Sequence, residues 1–210
     1  MKKNIIYSLL LVVAVLFAGC EDRLDIAKHG NMGGQDDFYK TNEQTEQAVA
    51  AMYGRVKGLY FTWFFTKNML SDDAWCGGGS RGDNNSYEQL NEFTFDSSNG
   101  NVEGLFSGLY GIIYQSNLII EKVADDTDVK KRAIAEAYFF RAWANFELVT
   151  LWGTAPLVDH LLATGEYRQP NSTPEALWAV VESDLKEAIG MNALPSKKNK
   201  DDQETGMRVT

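Results

Sequence analysis

Cysteine is nearly absent from this sequence: its 210 residues hold only Cys20 and Cys76. Two cysteines so far apart rule out a zinc site built on closely spaced cysteine pairs, and they provide no disulfide framework. Histidine is equally scarce. His29 and His160 each stand alone in loop-like sequence, so no Ser-His-Asp set can be assembled, and each reads as a solvated surface residue. Basic residues are the minority, 20 against 29 acidic ones, for a formal net charge of −9. Such a chain would be repelled by a phosphate backbone, which disfavours nucleic acid as a partner. Strand-like alternation is missing outside the short "EFTF", and long apolar runs are missing outside the first twenty residues.

That one apolar run is informative. Lys2 and Lys3 precede "IIYSLLLVVAVLF", which is too short and too close to the start to span a membrane comfortably and has the form of an export signal. It ends in "FAGC", small residues directly before Cys20, a pattern that resembles a bacterial lipobox, although Phe17 stands where leucine is commoner. Residues 1–19 are therefore expected to be removed and Cys20 lipidated, anchoring the chain to a membrane surface without crossing it. A plain cleaved signal with a stray cysteine is the competing reading. Loss of the two lysines would take the charge from −9 to −11 and leave Cys76 as the one remaining thiol. Residues 20–40, polar and glycine-bearing, read as a tether.

Order is expected from Thr41. "TNEQ" has the form of a capping box, with Thr41 as N-cap and Gln44 at the third helical position, and Ala48, Ala51, Met52 and Val56 continue at helical spacing. This predicts a helix over residues 42–59, followed by a buried aromatic segment, "FTWFFTKNML". Phe106, Leu109, Ile113, Ser116, Ile120 and Val123 recur at alternating spacings of three and four, predicting a helix over 102–123 with Tyr110, Tyr114 and Asn117 on its flank. A third, over 129–152, carries Ala133, Ala137, Phe140, Ala144, Leu148 and Leu151, small residues alternating with large ones. The short turn between these two predicts an antiparallel hairpin. Gly153 and Pro156 stop the third helix; Thr173 and Pro174 open a fourth, whose stripe is Leu177, Val180, Val181, Leu185 and Ala188 and which Gly190 closes.

The class is all-α, built from helix pairs of tetratricopeptide type with long loops. The domain is expected over residues 41–210, with "GMRVT" reading as the beginning of another helix and the chain as truncated there.

Chemistry is hard to find. The acids Asp72, Asp73, Asp83, Glu88, Glu92, Asp96, Glu136 and Glu147 are not singled out by spacing as a catalytic pair, and solvated or structural roles account for them. "GGGSRGD" lacks the Gly-Lys-Ser/Thr ending of a phosphate loop, and its Arg-Gly-Asp is a three-residue match without supporting context. Neither a cofactor nor a metal is expected, and no enzyme. The stretch "DDAWCGGGSRGDNNSY" does combine an aromatic platform with hydroxyl partners: Trp75, Arg81, Asp83, Asn84, Asn85 and Tyr87. A pyranose ring presents C–H bonds to an aromatic face and hydroxyls around its rim, which is what such a set would bind. Two readings stay open: Trp75 meets a ligand, or it tucks into the core while the polar residues solvate a turn.

"AEAYFFRAWANFELVTLWGTAPLV", residues 135–158, resembles the signature of the SusD/RagB family of Bacteroidetes outer-membrane lipoproteins. The lipobox, the acidic "EDRLD" after it, "LDI", "DFYKTNEQTEQAVAAMYG", "LSDDAW", "LYGIIYQSNLIIEKV" and "YRQPNSTPEALWAVVESDLKEAI" extend the likeness over nearly the whole chain. The resemblance implies tetratricopeptide-like helix pairs in a right-handed superhelical scaffold. It also implies a cell-surface lipoprotein of the outer membrane that binds oligosaccharide and works with a SusC-like TonB-dependent transporter in nutrient uptake. Carried onto this sequence, the family's early binding loop falls on residues 75–85: Trp75 as stacking platform, with Arg81, Asp83, Asn84 and Asn85 as hydroxyl partners. Glu136, Arg141, Trp152 and Pro156 belong to the signature and are expected in the scaffold, Arg141 paired and buried between helices. Alternatives within this frame are a peptide ligand, as in the RagB branch, and a helical scaffold that docks the transporter without a ligand site. Glycoside hydrolysis, an alternative of another class, would need two acids whose separate mutation abolishes turnover.

Overall fold

The computed structural model describes residues 38–196 and 208–210. The expected leader, Cys20 and the tether as far as residue 37 lie outside the described residues. Helix α1, Asn42–Met69, opens as its sequence requires: the Thr41 hydroxyl accepts from the Gln44 N–H at 3.2 Å, and the Gln44 side chain accepts from the Thr41 N–H at 3.0 Å. The helix does not stop at residue 59 but continues through the aromatic run. That run is only partly buried, because a straight helix turns one face to its neighbours and aromatics placed all round it cannot share that face. Phe61 is 68% exposed, and Tyr60 and Phe64 are exposed too. Their rings stack along the helix at i,i+4, Tyr60 on Phe64 at 5.8 Å and Phe61 on Phe65 at 6.2 Å.

A loop leads to the short α2, Asn85–Asn91, and a second loop to α3, Gly100–Lys122, which Asn99 caps through its side chain. "EFTF" forms no strand: Phe93 takes φ +54 in the turn after α2. Helix α4, Asp128–Trp152, begins on the Thr127 hydroxyl and ends at Gly153, whose φ of +74 suits glycine. Two-residue strands follow, β1 (Ala155–Pro156) paired antiparallel with β2 (Asn171–Ser172), then α5, Pro174–Gly190, capped by Thr173 with proline at its first position.

Among the described residues the chain is all-α apart from this pair of short strands. Helix α4 is its centre, packing on α5, α3 and α1, while α1 also lies along α3. Leu105, Leu109, Ile112, Ile113, Ile119, Ala133, Ala137, Ala144 and Leu148 are fully buried between them. The small residues let the axes come close. At Gly108 an added Cβ would run into Leu59 Cδ1, so any larger residue at the α1–α3 crossing would have to move that leucine.

Ion pairs lock the same elements. Arg141, 7% exposed, donates from Nε and Nη2 to the two Asp184 oxygens at 2.8 and 2.7 Å and from Nη1 to Asn117 Oδ1 at 2.8 Å, tying α4 to α5 and α3. Asn117, expected on a flank, is buried for this purpose. Glu136, fully buried on α4, accepts from Arg208 and from Arg132, and the Val209 N–H donates to the Tyr53 hydroxyl on α1. Residues 208–210 are therefore pinned across α1 and α4 rather than helical. Burial raises the Glu136 carboxyl above its ordinary value, against the two arginines that pull it down. No helix of the described residues is long and apolar enough to cross a membrane.

Candidate functional site

The loop between α1 and α2 is organised by a residue outside it. Asn91, at the end of α2, accepts from the Cys76 N–H at 3.2 Å and donates to the carbonyls of Ala74 at 2.9 Å and Met69 at 3.3 Å. Ala74 and Cys76 flank Trp75, so the backbone on both sides of the indole is held by one side chain. The indole itself is 77% exposed, which decides between the two readings of its packing: Trp75 does not fold back into the core. A fixed backbone carrying a solvated aromatic ring is how a protein presents a stacking surface at low conformational cost on binding.

The glycines have a steric reason. Asp83 turns back on Ser80, accepting its N–H at 2.8 Å and its hydroxyl at 2.9 Å, and these bonds from Ser80 hold the Asp83 carboxyl below the usual range. A Cβ at Gly78 or Gly79 would sit 3.1 or 3.2 Å from that carboxylate. Gly82, at φ +94, aims its N–H at both oxygens of Glu88, each at 2.9 Å.

These residues border a cleft of about 270 Å³, lined by Trp75, Ser80, Arg81, Glu88, Asn91 and Glu92 together with the stretch 76–78. Arg81 is paired with Glu92 through Nη2, at 2.6 and 2.8 Å to the two oxygens. The acids outnumber the cation, so the lining is net acidic. Partial burial, then the nearby Glu88 carboxylate, pushes the Cys76 thiol above its ordinary value, away from the thiolate a nucleophile needs.

Of the expected site residues, the structure brings Trp75 and Arg81 together in this cleft. Asn84, the N-cap of α2 without a side-chain capping bond, lines a neighbouring depression that also includes Trp75. Asp83 is engaged in its own turn, and Asn85, exposed at the start of α2, lines neither depression. Asn91, Glu88 and Glu92 were not singled out as organisers, since only the tertiary arrangement brings α2 under the loop. His160 is exposed, as expected of a solvated surface residue, and contacts Asp159 at 2.8 Å and Glu166 at 3.5 Å; the Asp159 bond raises its pKa, and it braces the loop before β2.

The helix-pair scaffold thus displays a solvated tryptophan, clamped through its flanking backbone, beside a polar cleft. A SusD-like family model described as starch-binding associating with outer membrane matches residues 35–206, and the chain belongs to that family. A SusD-like protein of Bacteroides ovatus is 30% identical over 197 residues, covering 87% of this chain and 34% of that protein. A SusD-like protein of Formosa agariphila is 26% identical over 189 residues, covering 89% of this chain and 37% of the relative. Among solved structures, a laminarin-binding SusD-like protein superposes with a TM-score of 0.68 at 29% identity, over 79% of this chain and 37% of the other. The chain thus spans about a third of the length of the relatives it matches.

Proposed function

We propose that this chain is the loop-bearing helical part of a non-enzymatic surface lipoprotein of the outer membrane, which binds oligosaccharide through the Trp75 cleft. Lipid on Cys20 anchors it, and a SusC-like TonB-dependent transporter receives the glycan. The observation that carries this reading is Trp75: 77% exposed, with its backbone fixed on both sides by Asn91. The indole offers a face for sugar C–H bonds, while Arg81, Ser80 and Glu92 supply polar atoms at the rim. The laminarin-binding relative supports a glycan as the ligand class. A non-catalytic role is supported by the two cleft acids, Glu88 and Glu92, each already accepting through both oxygens, whereas glycoside hydrolysis needs one carboxyl that donates a proton.

The test is a fluorescence titration of the full chain with laminarin, starch and plant polysaccharides, with Trp75→Phe and Trp75→Ala alongside. A saturable shift in the native chain, lost in Trp75→Ala with the far-ultraviolet helical signal unchanged, is the expected result. A second reading, a scaffold that docks the transporter without touching ligand, draws on the exposed Tyr60, Phe61 and Phe64 of α1. A flat titration from a well-folded chain would favour it.

A further inference from the structure

Trp75 borders two depressions, not one. The second, about 320 Å³, shares Trp75, Cys76 and Gly77 with the cleft and then runs the other way, to Tyr87, Asn84, Phe65 and Met69. Helical geometry explains the divergence. Glu88 on α2 and Glu92, its C-cap, lie one turn apart and both line the cleft, whereas Tyr87, one residue before Glu88, is rotated about a quarter-turn from it and lines the second depression. The indole is the ridge between them.

The floors differ in chemistry. The cleft is polar and acidic. The second trough is aromatic: Tyr87 and Phe65 meet with ring centroids 5.6 Å apart, and Phe65 in turn stacks on the exposed Phe61. One polar group is poised at its edge, the Asn84 side chain, which makes no bond to the helix it caps. Aromatic faces flanked by an amide suit the alternating C–H and hydroxyl surfaces of a pyranose better than a wholly apolar ligand.

We propose that this trough is a second sugar subsite, so that a linear oligosaccharide crosses the Trp75 ridge with units in both depressions. The proposal rests on the glycan reading above and adds that the site measures chain length. A disaccharide fills one depression. A hexasaccharide reaches both, and its extra contact with Tyr87 and Asn84 comes without a second loss of translational freedom.

The experiment is calorimetric titration of the full chain with β-1,3-linked and α-1,4-linked glucose oligosaccharides of two to six units. Affinity in the native chain should rise with length. Tyr87→Ala should weaken the hexasaccharide by about two- to tenfold, the range of one aromatic contact, and leave the disaccharide unchanged. Tyr87→Phe, which keeps the ring, should retain binding. Asn84→Ala, at an exposed position, probes the same trough without disturbing the Tyr87–Phe65 contact and should show the same length-dependent loss. Losses equal at every length, or none in either variant, while Trp75→Ala still abolishes binding, would overturn the second subsite and leave the glycan reading standing. Failure of every oligosaccharide to bind the native chain would overturn both.

Discussion

At the scale of single residues, the strongest constraint in the fold is a charge that cannot reach water. Arg141 and Asp184 are 7% and 3% exposed, and their fork of bonds near 2.7–2.8 Å joins α4 to α5 while Arg141 also holds Asn117 on α3. Buried pairs of this kind add little over a well-packed apolar pair, yet removing one partner strands the other in a low dielectric. Arg141→Met should therefore cost about 3–5 kcal/mol of unfolding free energy. The double change Arg141→Met with Asp184→Leu should recover most of that loss, because no charge is left unpaired. Urea unfolding of the four chains in the cycle gives both numbers, and a double variant no more stable than Arg141→Met would show that the pair is needed for more than its charge balance. The arginine's role was legible in the sequence as that of a scaffold residue between helices. Its partner was not, since Asp184 lies far along the chain and carries no spacing signal. The same holds at the site: Trp75 was conspicuous, but whether it faced water depended on Asn91, an unremarkable position in "EQLN" that the fold places under the loop.

At the scale of elements, reading the helices from periodicity succeeded where one face is apolar and failed where it is not. Helices α3, α4 and α5 keep regular stripes, with caps at Asn99, Thr127 and Thr173, and their observed limits fall within two residues of those the sequence predicts. The second half of α1 carries aromatics all round, so no stripe marks it; α2 is too short for a period, and β1 and β2 are shorter still. Glycines inside helices raise a related question, which the packing answers. Gly58 on α1 has open space where a Cβ would go, whereas Gly108 on α3 faces Leu59 at the helix crossing. Gly58→Ala should stabilise by about 0.5–1 kcal/mol through lower unfolded-state entropy. Gly108→Ala gains the same propensity but must displace a buried leucine at a cost of about 1–3 kcal/mol, so it should destabilise on balance. Thermal melts of the two single variants decide this. Opposite shifts in Tm are expected, and a rise for Gly108→Ala would mean that Leu59 has room to turn aside.

For the molecule as a whole, the proposed glycan binding carries a prediction about charge. The chain carries −9, and the cleft adds no free cation to offset it, because Arg81 is bound to Glu92. A sulfated or uronic-acid polymer would meet the repulsion of a net negative chain and find the one guanidinium lining the cleft already paired. A neutral glucan feels neither effect, since stacking on Trp75 and hydroxyl bonding at the rim involve no net charge. The two cases separate cleanly by salt. At about 0.01 M ionic strength the screening length is roughly 30 Å, and at 0.1 M it is roughly 10 Å, so surface repulsion reaches far in the first buffer and little in the second. Retardation of the full chain in gels containing laminarin should be the same in both buffers, and gels containing dextran sulfate should give no retardation at low salt. Retention on the sulfated polymer at low salt, weakening as salt is added, would show that a cationic surface exists where the described residues place carboxylates, and would shift the ligand class from neutral to anionic glycans.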